Sequence, residues 1–339
     1  MKWMLIQSST SKYTATLLKE LQAQYNFKVV DASEEPKFFT QKDNLLVKVS
    51  SKEAAGTLGS WLRNKFRFSP IIKKWGIEKI LLDQKAIQVD SPLAQTIIID
   101  NPTFRFGEAS NVFIQKHSIS FLTYSIKIKE KLEVDFPQKN IVLYNPSIAS
   151  FFRPINWEES LDIKEKYADG NDYFLVNGLG QDIDRIITIL KGFSIFKKWQ
   201  KSGMKIILLT DNIQPLQEAV SNYKYREDVN IVNQPNDTEL ADLIGASYCT
   251  IHLPEEDSDN LFALQSAQYN VPILLQKDST VYTWFNENAF ALTHFESEQL
   301  GQAFITMYKA ENVRAKFIDY LTSNVIESPN DHSLSTWFL

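Results

Sequence analysis

The chain carries a single cysteine, Cys249, among 339 residues. One thiol closes no intramolecular disulfide and builds no cysteine-rich zinc site, so disulfide-stapled secreted scaffolds and zinc fingers are both excluded. Long hydrophobic runs are missing too, since no window approaches the roughly 18 uncharged apolar residues of a membrane span. The opening Met1–Gln7 has one lysine and an apolar run too short for a signal peptide. The expectation is a cytoplasmic, soluble protein. Positive charge is not in excess: 36 Lys and Arg face 41 Asp and Glu, a formal charge of −5. That removes a nucleic-acid binder held by a global basic field, leaving at most a local patch. The four histidines, His117, His252, His294 and His332, have no spacing for a metal or a nucleophile relay. No Gly-x-Ser-x-Gly, Walker A or kinase signature is present. Repeats of 20 to 50 residues are absent as well.

What is present is an ordinary folded composition, 44% hydrophobic and 23% charged with 22 Phe, which excludes disorder. The length suggests about two domains. From Tyr173 onward short apolar runs alternate with helical patterns. Strands are expected at Tyr173–Val176, Lys205–Thr210, Val229–Val232, Ser247–His252 and Val271–Leu275. Between the first two, Ile186, Ile189, Leu190, Phe193 and Phe196 recur at the spacing of one buried helical face, and Gly203 is read as the stop. Further helices open at Gln214-Pro215, with Asp237 as an N-cap, and around Asn260–Tyr269. Strand–helix alternation means parallel βαβ units. The first half offers seven strand candidates: Trp3–Gln7, Phe27–Val30, Leu45–Val49, Lys79–Leu82, Gln95–Ile99, Ile119–Thr123 and Ile141–Tyr144. The expected organisation is a doubly wound domain at 1–150, a linker at 151–172 containing a polar helix Glu158–Tyr167, a second doubly wound domain at 173–325 and a tail at 326–339. The tail has Pro and Ser and ends on Trp337-Phe338-Leu339, while Glu311–Leu321 before it is helical. Two such domains facing one another would place a ligand in the cleft at the carboxyl ends of their strands.

Several motifs admit two readings. Asn177-Gly178-Leu179-Gly180 before a helix either cradles a phosphate on backbone amides or makes a tight turn; it is no dinucleotide fingerprint, because the third glycine is missing. Asp182-Ile183-Asp184 matches a metal-holding Asp-x-Asp, yet two carboxylates in a helix's first turn are favourable without a metal. The loop Leu253–Asp259 gathers four carboxylates ahead of a helix and would make the cleft mouth negative. Residues 61–75 mix five basic residues with four aromatics and no acid, which fits either an interfacial helix touching anionic lipid or two ordinary amphipathic helices broken at Pro70. Cys249, inside an apolar strand, reads as packed.

The second half resembles the family 4 glycosyltransferases of the GT-B fold, bacterial branch. The matching residues are Tyr173–Gly178, Ile189–Lys198, Asp237–Ala246, Leu253-Pro254 and Val271-Pro272; Thr123-Tyr124-Ser125 with Lys129 and Val142–Pro146 look like the linking segment. The resemblance covers residues 95 to 320 most clearly. It implies an α/β GT-B architecture of two Rossmann-like domains and retaining transfer of a sugar from a nucleotide-sugar to a glycan or lipid-linked acceptor. By that resemblance the donor would meet Asn177, Gly178, Asn233, Gln234, Asp257, Asn260, Leu261 and Gln265, with Asp100 and Asn101 on the acceptor side. No cofactor and no metal are implied, the nucleotide-sugar being substrate. Nucleic acid is not an expected partner.

The departures fall where the chemistry would be done. The family's phosphate-binding Arg/Lys pair aligns with Ile183 and Asp184, its Glu-x7-Glu with Asp257 and Gln265, the intervening Gly-Phe-Gly with Ser258-Asp259-Asn260, and its first-domain His-Asp near Asp100-Asn101. No residue stands out as a nucleophile. Losing two charge-assisted phosphate contacts costs on the order of 1.5–3 kcal/mol each, and a carboxylate about 5 Å from a phosphate adds roughly 3 kcal/mol of repulsion at an effective dielectric near 20. Arg185, Lys191 or a metal on Asp257 would restore part of this. Two functions therefore stand side by side: a nominal glycosyltransferase, and an inactive homologue acting as a binding or scaffold subunit for a partner glycosyltransferase, another assembly or a second copy of itself, with peripheral membrane contact through residues 61–75.

Overall fold

The computed structural model describes residues 2–7, 14, 17, 20–21, 26–31, 47–48, 70, 72–84, 89, 91–100, 105–144, 155–254 and 261–324. Contacts divide the chain into two compact units. The first carries strands β1 (Lys2–Gln7), β2 (Asn26–Asp31), β3 (Val47–Lys48), β4 (Lys79–Asp83), β5 (Ala94–Ile99), β6 (Ile119–Thr123) and β7 (Asn140–Leu143), with helices α1 (Glu108–Lys116) and α2 (Ile126–Asp135). All seven strands pair in parallel, in the order β3-β2-β1-β4-β5-β6-β7. Every strand expected in this half is found within one or two residues. The runs are continuous because a parallel sheet covered on both faces buries every side chain: Ile80, Leu81, Leu82 and Ile97, Ile98, Ile99 all lie in the core.

The second unit begins, among the described residues, with helix α3 (Trp157–Ala168), in the stretch expected as a linker. Asn156 and Glu159 form a reciprocal capping box, each backbone N–H donating to the other's side chain at 2.9 Å. Ile163, Tyr167 and Ala168 then pack onto the second unit's core. The chain continues through β8 (Tyr173–Asn177), α4 (Ile183–Trp199), β9 (Lys205–Thr210), α5 (Ile213–Ser221), β10 (Val229–Asn233), α6 (Asp237–Gly245), β11 (Cys249–His252), α7 (Leu261–Gln268), β12 (Ile273–Gln276), α8 (Thr280–Trp284), β13 (Phe290–Leu292), α9 (Ser297–Lys309) and α10 (Glu311–Ser323). The six strands are parallel in the order β10-β9-β8-β11-β12-β13. The side-chain period of two sorts each strand between the two cores: Tyr173, Leu175, Ile207 and Leu209 enter one, while Phe174, Val176, Ile206 and Leu208 enter the other.

Two terminus expectations are corrected. The cap of α6 is Asn236, whose side chain accepts from Glu239 N at 2.9 Å, so Asp237 is the first helical residue. Helix α4 ends at Trp199 with Gln200 as C-cap, before Gly203. The glycine answers a different need, since a Cβ there would sit 2.5 Å from Asn171 Oδ1. Helices α4 and α9 pack closely at Gly192 and Gly301: a Cβ on Gly192 would fall 2.5 Å from Leu300 Cβ, and one on Gly301 2.7 Å from Ile195. Of residues 61–75, Ile72 and Trp75 pack against the first core while Lys73 and Lys74 are exposed; 61–69 and 71 lie outside the described residues. Among the described residues no helix is long and apolar enough to cross a membrane.

Candidate functional site

In the second unit the chain runs from β8 outward to β9 and β10, then returns to place β11 on the other side of β8. The strand order reverses between β8 and β11, and beyond the carboxyl ends of those strands is where doubly wound sheets bind ligands. Asn177 ends β8 and His252 ends β11, and their side chains meet there, Asn177 Nδ2 to His252 Nδ1 at 3.0 Å, both buried. The amide orientation is supported by Asn177 Oδ1 accepting from Leu179 N at 3.4 Å. The amide nitrogen donates, so Nδ1 accepts and the ring proton sits on Nε2. Phe262, in the first turn of α7, packs its ring 5.7 Å from the imidazole.

Gly178 follows directly. A Cβ at this position would lie 2.5 Å from the backbone oxygen of Leu209 and 3.0 Å from Ile186, so only glycine lets β8 leave the sheet this close to β9. Gly180 turns the chain with φ +69°. Its amide donates to Asp211 Oδ2 at 3.3 Å, Asp211 following β9. Gln181 Nε2 donates back to Asn177 O. Gln234, just past β10 with φ 48°, donates its amide N–H to Thr210 O at 2.8 Å and its side chain to Asp211 O at 3.2 Å. The ends of β8, β9 and β10 are thus tied together by the protein's own polar groups.

The amino terminus of α4 faces the same end of the sheet. Its N-cap is Asp182, whose carboxylate accepts from Asp184 N at 3.4 Å. Asp182, Asp184 and Asp211 are all exposed. A helix amino terminus of 17 residues would favour an anion, but here the amides of Gly180 and Asp184 already donate to carboxylates. Arg185, which the sequence offered as a replacement cation, donates from Nη2 to Leu253 O at 2.9 Å and stacks its guanidinium 3.8 Å from the Phe295 ring centroid. It clamps the end of β11 to the start of α4. Lys191 is eight residues into α4, about 12 Å down the axis at 1.5 Å per residue, and is exposed.

Of the other expected donor residues, Asn233 is exposed at the end of β10, Leu261 is buried at the start of α7, and Gln265 is buried one turn further on, its Oε1 without a hydrogen-bond partner among the described residues. Asp257 and Asn260, with the rest of the acidic loop 255–260, lie outside the described residues, as does Asn101. Asp100, beyond β5 in the first unit, is locked from three sides: its carboxylate accepts from Thr14 Oγ1 at 2.6 Å, its carbonyl accepts from Tyr124 at 3.2 Å, and its N–H donates to Gln84 at 3.2 Å. Among the described residues no group of three metal-ligating side chains converges. Cys249 is buried against Met307 with Sγ and Sδ 3.3 Å apart, and burial pushes its thiol pKa up, so it is a packed residue and not a nucleophile.

Gln181 and Asp211 were not among the expected site residues. Each has a positional signal, being a polar residue in a loop directly after a buried strand.

No family model and no curated protein matches the chain. Solved structures do. A glycosyltransferase from Rickettsia africae aligns with TM-score 0.73 at 13% identity, covering 96% of this chain and 94% of its own. HepE from Anabaena, in complex with UDP and glucose, aligns with TM-score 0.73 at 11% identity, covering 95% and 94%. WaaG, a glycosyltransferase involved in lipopolysaccharide biosynthesis, aligns with TM-score 0.70 at 10% identity over the same shares. The fold is GT-B. At these identities the likeness defines architecture, and the chemistry has to be read from the side chains described above.

Proposed function

We propose that this protein is a glycosyltransferase-fold binding subunit that no longer grips a sugar-nucleotide diphosphate, and that it supports a partner enzyme or assembly. One observation carries this reading. The loop and helix terminus where a diphosphate would bind are lined by Asp182, Asp184 and Asp211, whose carboxylates accept from the Asp184 and Gly180 amides. The nearest arginine is tied to Leu253 and Phe295. An incoming diphosphate would have to displace internal hydrogen bonds and sit among the carboxylates of Asp182, Asp184 and Asp211, with no Lys or Arg among residues 177–184 to meet it. A donor bound in this outline would touch Asn177, Gly178, Asn233, Gln234, Asp257, Asn260, Leu261 and Gln265, and apart from Asp257 these supply amide, backbone or apolar contacts.

Sugar transfer with retention is the second reading. It is favoured by the reversal of strand order at Asn177 and His252 and by HepE, a structural neighbour solved with UDP and glucose. The two separate in a thermal-shift panel of UDP-, GDP- and dTDP-linked sugars with and without Mn²⁺, run beside a donor-hydrolysis assay. A binding subunit gives no stabilisation and no released nucleotide. A stabilisation of several degrees with any donor, which linkage expects at concentrations well above Kd, would restore the transferase.

A further inference from the structure

Among the described residues of the second unit two tryptophans stand in solvent, Trp157 at 70% and Trp199 at 69% exposure. Their surroundings differ in sign. Trp157 shares the first turns of α3 with exposed Glu158 and Asp162. Trp199 ends α4 between exposed Lys198 and Lys201. Tyr308, in the last turn of α9, packs its ring 5.5 Å from that of the buried Phe196. Trp199 follows Phe196 by three positions, so both aromatic side chains border the same spot. Exposed Lys309 lies next to Tyr308, and exposed Lys224 lies in the loop between α5 and β10. That loop is tied to α4 by the Ser194–Tyr223 hydrogen bond at 2.8 Å and the Lys197–Asp228 ion pair at 3.0 Å. The patch sits at the amino-terminal edge of the sheet, where α4 and this loop lead into β9 and β10 and where Tyr248, just before β11, donates to Met307 O at 3.4 Å. It is the opposite end of the sheet from Asn177 and His252.

The carboxylates beside the patch are paired within the protein: Asp228 with Lys197, Glu227 with Arg226 at 3.3 Å, and Glu311 with Arg314 at 3.1 Å. Lys198, Lys201, Lys224 and Lys309 thus make a locally positive surface on a chain of formal charge −5. Lysines near helix carboxyl ends answer the helix dipole, which would account for them alone. It does not account for an exposed tryptophan and tyrosine in their midst. Protein interfaces with an aromatic centre are enriched in arginine and depleted in lysine, whereas tryptophan and tyrosine among lysines is the composition of a surface that lies in the headgroup region of an anionic membrane. We propose that the amino-terminal edge of the second unit seats on an anionic lipid surface, with Trp199 and Tyr308 at the headgroup boundary and the four lysines facing the lipid charges. This contact is distinct from residues 61–75, and it stands whether or not the other end of the sheet holds a nucleotide.

The test is flotation of the full chain with phosphatidylcholine vesicles made with and without phosphatidylglycerol, at low and at high salt. Binding is expected only with phosphatidylglycerol, weakening as salt is added. Trp199→Ala should lower the partition coefficient about tenfold, and Lys198→Gln with Lys201→Gln about 25-fold, roughly fivefold for each lysine. Trp157→Ala, the equally exposed control in acidic surroundings, should bind as the wild type does. All of these positions are exposed, so the unfolding midpoints should agree. Absence of flotation, equal binding to phosphatidylcholine alone, or binding unchanged in the folded Trp199 and lysine variants would each overturn the proposal, the last by placing the contact elsewhere on the chain.

Discussion

Rebuilding the missing cations is the sharpest perturbation of the second unit. Ile183→Arg and Asp184→Lys would place two positive side chains in the first turn of α4, and Asp211→Ser would release the Gly180 amide from its carboxylate partner. Two charge-assisted contacts are worth about 1.5–3 kcal/mol each, and solvent exposure at position 184 holds the sum near the lower end. A gain of about 3–4 kcal/mol corresponds to two to three decades of affinity. The cost falls on stability. Ile183 packs against the core that contains Phe193 and Phe196, so its loss forfeits about 1 kcal/mol of apolar burial. Two cations at a helix amino terminus cost a further 0.3–1 kcal/mol each, approximately. The triple variant should therefore unfold several degrees lower than the wild type and yet bind UDP with a measurable heat in calorimetry. A variant that keeps its fold and shows no more affinity for UDP than the wild type would refute the alignment of positions 183 and 184 with a phosphate seat.

Gly192→Ala puts a methyl 2.5 Å from Leu300 Cβ and 3.1 Å from the Gly301 amide; it should cost about 1–3 kcal/mol in urea unfolding, and an unchanged midpoint would mean that α4 and α9 do not meet there. Asn177→Leu removes the donor to the buried His252 Nδ1 and should destabilise by about 1–3 kcal/mol; in the wild type, imidazole ¹⁵N shifts should report the Nε2–H tautomer. Burial, only partly offset by the hydrogen bond from Ser194, raises the Tyr223 hydroxyl to about 12. The folded state thus holds that proton where the unfolded chain has released it, and this contribution is complete below pH 10 and lost as pH rises towards about 12. Tyr223→Phe should flatten that part of the stability–pH curve, and an equal slope in both proteins would exclude Tyr223 as a source.

The strands were legible because a parallel sheet needs continuous apolar runs, and Lys205–Thr210 and Ile119–Thr123 were read to the residue. β13 escaped because it is only three residues long, with Ala291 exposed between Phe290 and Leu292. Helix α9 escaped although Leu300, Phe304 and Met307 mark a buried stripe, since Gly301 interrupts the pattern for a packing reason visible only against α4. Capping chemistry decided Asn236 over Asp237, two neighbours with the same side-chain capacity to accept. In the site, Asn177, Gly178 and His252 were readable as polar or glycine positions at strand ends. The role of Arg185 was not, because its partners Leu253 and Phe295 lie about 70 and 110 positions along the chain, and only the folded sheet brings them together.

The direct measurement of the central claim is calorimetric titration of the wild-type protein with UDP at low and at high salt. Carboxylates facing a diphosphate predict no heat at low salt and, if any affinity emerges, an increase as salt screens the repulsion. Micromolar binding at low salt that weakens as salt is added would reveal a cationic grip on the phosphates and contradict the absence of one.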